Sequence, residues 1–180
     1  MAFARIIDNE RKKLLDCLVA ASKDFDEISI ATGYWDLEAT AMLLPHIAKY
    51  KKIRLIIGRE PLIPRHQLEG VEPDFPDKDI FEDLQRIKSD SSLRPAVLEL
   101  KKLVDEKVLE VKVFKKSFLH AKCYIFGNFD SAKAIGIIGS SNFTKNGLTT
   151  NRELNSAEDN PHIVQASPRN LDQDHGHLSW

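Results

Sequence analysis

Between Ile6 and Gly58 the hydrophobic period of the chain switches from that of a helix to that of a strand and back, and this alternation constrains the fold more than any other feature. Ile6, Ile7, Leu14, Leu15, Leu18 and Val19 recur at helical spacing with charges between them, which predicts an amphipathic helix over Ile6 to Ala21. Glu27 to Gly33 then alternates polar and apolar residues and stops at a glycine, as a strand running into a turn does. A second helix is predicted from Asp36 to Tyr50. Asp36 is suited to cap it, Leu37, Met42, Leu43, Leu44 and Ile47 supply its apolar face, and Pro45 works against it. Ile53 to Gly58 reads as a buried strand. Helix, strand, helix, strand in that order implies a parallel strand pair with a crossover helix on the sheet, and so an α/β fold.

From Glu60 to Asp79 the chain carries Pro61, Pro64, Pro73, Pro76 and Gly70, which predicts an irregular loop at a domain edge. Helical patterns resume over Ile80 to Lys88 and Leu93 to Val104, and a strand is predicted over Val108 to Phe114. Leu119 to Phe126 and Ala134 to Ile138 read as two strands joined by a hairpin at Gly127-Asn128-Phe129-Asp130-Ser131, residue types that tolerate tight-turn angles. A last short strand is expected near Asn151 to Ser156. Beyond Ala157 the sequence is polar and aperiodic, so one domain is expected over 1–157, followed by a tail or truncated linker over 158–180.

A chain of 180 residues can bury the core of one such domain. Its apolar runs are too short and interrupted to cross a bilayer, and Met1-Ala2-Phe3-Ala4-Arg5 leads into charged sequence without the apolar core of a secretory signal, so a cytoplasmic location is expected. Cys17 and Cys123 sit in apolar segments without metal-ligand spacing and are read as small buried hydrophobes. The net charge of −1 conceals a segregation of signs. Lys112 to Asn155 holds seven basic residues against two acidic ones, whereas Glu60 to Glu110 holds eight basic against thirteen acidic. An anionic partner is drawn to the first stretch and repelled by the second.

Three short segments carry chemistry. His120-Ala121-Lys122 falls on a predicted strand, where residues two apart share a face, so an imidazole and an ammonium project together. Gly139-Ser140-Ser141-Asn142 follows the next apolar strand and is expected to bring a hydroxyl, an amide and free backbone N–H groups to its end, where an anion can be bound. Asn151-Arg152-Glu153-Leu154-Asn155 then adds the carboxylate of Glu153 in another predicted strand. Each segment alone has an ordinary reading: an exposed strand edge, a turn, a solvated side chain.

Together, in this order and spacing, they resemble the phospholipase D superfamily, whose signature is His-x-Lys, then Gly-Ser-x-Asn, then Glu. The single motif per chain, the Gly33-Tyr34 turn and Ser141-Asn142-Phe143-Thr144 look most like its bacterial nuclease branch, which includes metal-independent restriction endonucleases and nuclease domains found with helicases. The motif-level likeness covers about residues 118 to 155, with a looser match of element order back to residue 5. One position departs from the pattern. The family often has an Asp five residues after the Lys, and here that residue is Gly127, with Asp130 nearby in the same hairpin.

The resemblance implies a phospholipase D-like α/β sandwich, a mixed and mostly parallel sheet with helices on both faces. It implies a phosphodiesterase in which His120 is the nucleophile, Lys122, Ser140 and Asn142 bind the phosphoryl oxygens, and Glu153 holds the imidazole in the required tautomer. The family builds its site from two such motifs, so this chain is expected to form a homodimer with a shared site. No cofactor and no metal is expected: neither the acidic run Asp74 to Asp83 nor His175-Gly176-His177 has the character of a metal site. The expected partner is nucleic acid, with DNA preferred, together with a helicase or recognition domain or subunit and no membrane. The competing readings are a catalytically silent nucleic-acid-binding or dimerisation module, for which Gly127 speaks, and a lipid phosphodiesterase of the same fold, against which the lack of an amphipathic membrane-binding loop speaks.

Overall fold

A computed structural model describes residues 5–58, 93–114, 119–127, 133–160 and Val164. The proline-rich segment after Glu60, the helix expected over Ile80 to Lys88, the hairpin tip, the acidic run, the His175–His177 pair and most of the tail expected over 158–180 lie outside the described residues, while Glu158 ends the last strand. The described elements are β1 (Ile6–Ile7), α1 (Leu14–Ala21), β2 (Glu27–Thr32), α2 (Leu37–Ile47), β3 (Lys52–Ile57), α3 (Arg94–Asp105), β4 (Leu109–Val113), β5 (Cys123–Phe126), β6 (Ile135–Gly139), α4 (Lys145–Thr149) and β7 (Asn155–Glu158).

The strands form one seven-stranded sheet in the order β1-β7-β6-β5-β2-β3-β4. It is mixed, as expected, but parallel pairing is confined to β2, β3 and β4, where α2 supplies the predicted crossover between β2 and β3. The pairs β2·β5, β5·β6, β6·β7 and β1·β7 are antiparallel. The physical reason lies in connection length. A hairpin returns β6 against β5, whereas a parallel partner needs a long crossover.

Register puts Ile28, Ile53, Leu109 and Phe126 side by side on one face, with Ile30, Leu55, Tyr124 and Ile137 in the next row. Leu14 and Leu18 of α1, Leu43 and Leu44 of α2, Leu103 of α3 and Leu148 of α4 join these residues in one buried cluster. The four described helices therefore cover the same face of the sheet. On the opposite face Val164 is seated over Gly136, where a Cβ would lie 3.2 Å from both valine methyl carbons. Ile138 and Leu154, on that side, are 50% and 63% exposed.

The start of the chain departs from its sequence pattern. Ile6 and Ile7 are not the first turn of a helix but a two-residue strand paired with Ser156 and Asn155. Asn9 takes a left-handed φ of 62° and its side chain accepts the Leu14 N–H, which starts α1 afresh after the turn. Helix α2 follows its expectation more closely. Asp36 caps it by accepting the Ala39 N–H at 2.7 Å, and Pro45 falls in its last turn, where the loss of one backbone donor ends little.

Candidate active site

Gly33 is the point on which the site converges. A Cβ on this residue would lie 3.5 Å from Lys122 Nζ, 3.5 Å from His120 Cδ2 and 3.2 Å from Asn142 Oδ1. Residues from the end of β2, the approach to β5 and the loop after β6 thus surround one small space whose floor is a bare Cα. The sequence pattern had His120 and Lys122 on a strand, but β5 begins only at Cys123. Just before it, Lys122 O accepts the Gly139 N–H at 3.1 Å. His120 and Lys122 still reach the same side, because Lys122 turns its ammonium back to the His120 carbonyl at 3.3 Å. Lys122 is 6% exposed. An ammonium held in so little water acts on a nearby anion with less screening than one at the surface.

The carboxamide of Asn142 is oriented from behind. Its oxygen accepts the backbone N–H of Tyr34 at 3.0 Å, which turns its NH₂ group the other way as a donor. Thr32 Oγ1 accepts the Phe143 N–H at 2.9 Å and donates to Tyr34 O at 2.6 Å, so one buried hydroxyl joins the end of β2 to the loop after β6. Trp35 and Phe143 form an isolated parallel bridge, and Asp36 accepts the Lys145 N–H at 2.9 Å while capping α2.

These bonds correct one expectation about the loop 139–142. Its backbone N–H groups were expected to stand free for an anion. Instead Ser140 N donates to Leu154 O at 3.1 Å, Ser141 N to Asn155 Oδ1 at 3.3 Å and Phe143 N to Thr32 Oγ1. The loop is a clamped support for side chains rather than a nest of amides. The glycine that opens it is required by packing: a Cβ on Gly139 would lie 2.3 Å from Leu154 O and 2.4 Å from Asn155 Oδ1.

Glu153 precedes β7 rather than lying within it. Ser140 Oγ donates a short hydrogen bond to Glu153 Oε2, and Oε1 accepts from Asn151 Nδ2 at 3.3 Å. Leu154 N donates to the same Ser140 hydroxyl at 2.9 Å. His120, Lys122 and Asn142 therefore meet around Gly33, while Ser140 and Glu153 are bonded to each other. Gly127, at the position of the family Asp, ends β5 with a φ of 93°, a conformation that glycine adopts without strain.

Sequence reading passed over the supports of this site. Thr32, Tyr124 and Asn155 are buried polar groups inside or next to strands, and only their occurrence at core-facing positions hinted at a role. Among the described residues no group of three or more His, Cys, Asp or Glu side chains is arranged to hold a metal ion, and no helix is long and apolar enough to cross a membrane.

An imidazole, a sheltered ammonium and an oriented amide are thus brought together around Gly33. The chain belongs to the phospholipase D-like family, since the family model described as cardiolipin synthase, PLD-like domain, matches residues 14–175. Its fold superposes on Nuc, a phospholipase D family member of Salmonella typhimurium, with a TM-score of 0.57 at 12% identity, covering 94% of this chain and 91% of that one. It also superposes on polyphosphate kinase from Porphyromonas gingivalis with a TM-score of 0.53 at 14% identity, covering 94% of this chain and 22% of that one. NucT from Helicobacter pylori gives a TM-score of 0.47 at 14% identity, over 87% and 84% of the two chains. At these identities the structural likeness concerns the fold. No significant match is found among curated protein sequences.

Proposed function

We propose that the protein is a metal-independent phosphodiesterase that hydrolyses nucleic acid, with DNA as its substrate, at a site shared by two copies of the chain. The observation that carries this reading is the convergence of His120, Lys122 and Asn142 on Gly33. Neutral His120 attacks phosphorus, the bond to one ester oxygen breaks, and a phosphohistidine forms. The oxygen that leaves needs a proton, and the partner subunit's His120 supplies it. That second imidazole then takes a proton from water as the water attacks phosphorus and frees His120. Lys122 and the NH₂ group of Asn142 meet the charge that grows on the phosphoryl oxygens. Glu153, seated by Ser140 and Asn151, holds the imidazole in the attacking tautomer, and Ser140 adds a donor to the phosphoryl group once it releases Glu153.

The preference for nucleic acid over lipid rests on charge. The stretch Lys112 to Asn155, which contains the site, holds seven basic residues against two acidic ones and draws a polyanion, with Lys145 and Arg152 held in ion pairs with Glu38 and Glu10. The expected compartment is the cytoplasm, and a helicase or recognition subunit is the expected source of sequence specificity.

The test is cleavage of supercoiled plasmid DNA in excess EDTA by the protein and its His120→Ala variant, with phosphatidyl substrates run in parallel. Cleavage of plasmid alone that survives chelation and disappears in the variant is the expected result. Turnover of the lipid alone moves the assignment to a lipid phosphodiesterase, and DNA binding without turnover moves it to a binding module.

A further inference from the structure

Asn155 has no place in the chemistry above, yet its side chain ties the loop after β6 to the start of β7 and to β1. It is 1% exposed. Its Oδ1 accepts the Ser141 N–H at 3.3 Å, and its Nδ2 donates to Ser141 Oγ at 2.9 Å and to Ile7 O at 3.4 Å. The remaining polar atom of Ser141, its carbonyl oxygen, accepts the Tyr124 hydroxyl at 3.0 Å. Ser141 is thus held at its nitrogen, hydroxyl and carbonyl, and it stands between Ser140, which engages Glu153, and Asn142, which faces Gly33. Gly139 is bare where a Cβ would collide with Asn155 Oδ1, so the carboxamide can approach the loop backbone.

We infer that Asn155 is a positioning residue for the active site, which sets the loop bearing Ser140 and Asn142 relative to the start of β7 and to β1. Buried amides of this kind cost desolvation unless every polar atom is bonded, and here two of the three bonds are directed at Ser141 of the loop and the third at Ile7 of β1. The carboxamide of Asn142 is aimed only while its backbone is held: a rotation of Ser141 carries Asn142 away from Tyr34 N and from the space over Gly33. Asn155 touches neither substrate nor nucleophile in this account. It acts through Ser141.

The inference rests on the proposed function for its catalytic meaning, and the experiment separates the two. Asn155→Ala and the milder Ser141→Ala are compared with the unmodified protein by amide hydrogen exchange and by turnover of bis(p-nitrophenyl) phosphate. Ser141→Ala leaves the Asn155 bonds to Ser141 N and Ile7 O in place and serves if Asn155→Ala fails to fold. The expected result is exchange at the Tyr34 and Phe143 amides about tenfold faster in Asn155→Ala, with amides at the centre of β3 unchanged and kcat reduced about tenfold while KM changes little. Ser141→Ala is expected to move the same two amides and kcat in the same direction by a smaller factor. Unchanged exchange at Tyr34 and Phe143 in both variants, with kcat within about twofold of the unmodified protein, overturns the inference. Absence of turnover in the unmodified protein overturns the proposed function instead, and the exchange rates then decide by themselves whether Asn155 holds the loop.

Discussion

Asn142 Oδ1 accepts the backbone N–H of Tyr34 at 3.0 Å, across 108 positions of sequence. This bond sets the orientation of the Asn142 carboxamide over Gly33, and it makes the residue at position 33 a sensitive gauge of the site. A single methyl group there meets Asn142 Oδ1 at 3.2 Å and needs only a small shift. The branched side chain of valine fills the space between Lys122, His120 and Asn142. Gly33→Ala is expected to keep activity within about tenfold, and Gly33→Val to lose at least about 100-fold in kcat/KM with an unchanged circular dichroism spectrum, as displacements near 1 Å at a reacting centre do. Equal activity of the two variants contradicts a phosphoryl seat above Gly33.

The Ser140 hydroxyl and the Glu153 carboxylate are expected to behave as one unit. In a double-mutant cycle of Ser140→Ala and Glu153→Gln read by kcat/KM, the double variant is expected to lose less than the product of the single losses, by a coupling of about 1–3 kcal/mol. Additive losses mean that the two groups act separately on the substrate.

Tyr124 and Cys123 make stability fall in base. Burial raises the Tyr124 phenol well above its ordinary value and pushes the Cys123 thiol up to about 12. Both groups keep their protons in the folded chain at pH values where the unfolded chain has released them. The stability they contribute is full below the unfolded values and is lost as pH rises through the window above about 9 for the thiol and about 10 for the phenol. Urea unfolding at pH 8 and pH 10.5 is expected to show this loss, smaller in Cys123→Ala. The same shift predicts slow alkylation of Cys123 by iodoacetamide in the native state at pH 8.

Tyr124→Phe removes the bond to Ser141 O. A loss of about 1 kcal/mol is expected, from the carbonyl left unpaired, measured as a fall in the urea midpoint at constant slope. A midpoint that does not move removes Tyr124 from the support of the loop.

Much of this molecule could be read from its sequence where the signal is local. Helix α2 with its Asp36 cap, the parallel pair β2·β3 and the β5·β6 hairpin follow from period and turn chemistry within short windows. His120, Lys122 and Asn142 were legible from motif spacing, and they meet around Gly33. What escaped depends on distant partners. Ile6 and Ile7 fit a helical period with Leu14, and only their pairing with Asn155 and Ser156 makes them a strand. The backbone amides of Ser140, Ser141 and Phe143 look free in sequence because Leu154, Asn155 and Thr32, which take them up, come from other parts of the chain. The antiparallel pairs of β7 with β6 and with β1 have the same origin, since they are set by pairing between distant segments that no local pattern records.

The shared site is the central claim, and subunit mixing tests it most directly. Unmodified protein and His120→Ala are unfolded together in varied ratios, refolded into randomly assorted dimers, and assayed on plasmid DNA in EDTA. A site that needs one His120 from each subunit predicts specific activity that falls as the square of the unmodified fraction, because every mixed dimer is inactive. Activity that falls in simple proportion to that fraction contradicts the account, because each chain then carries a complete site of its own.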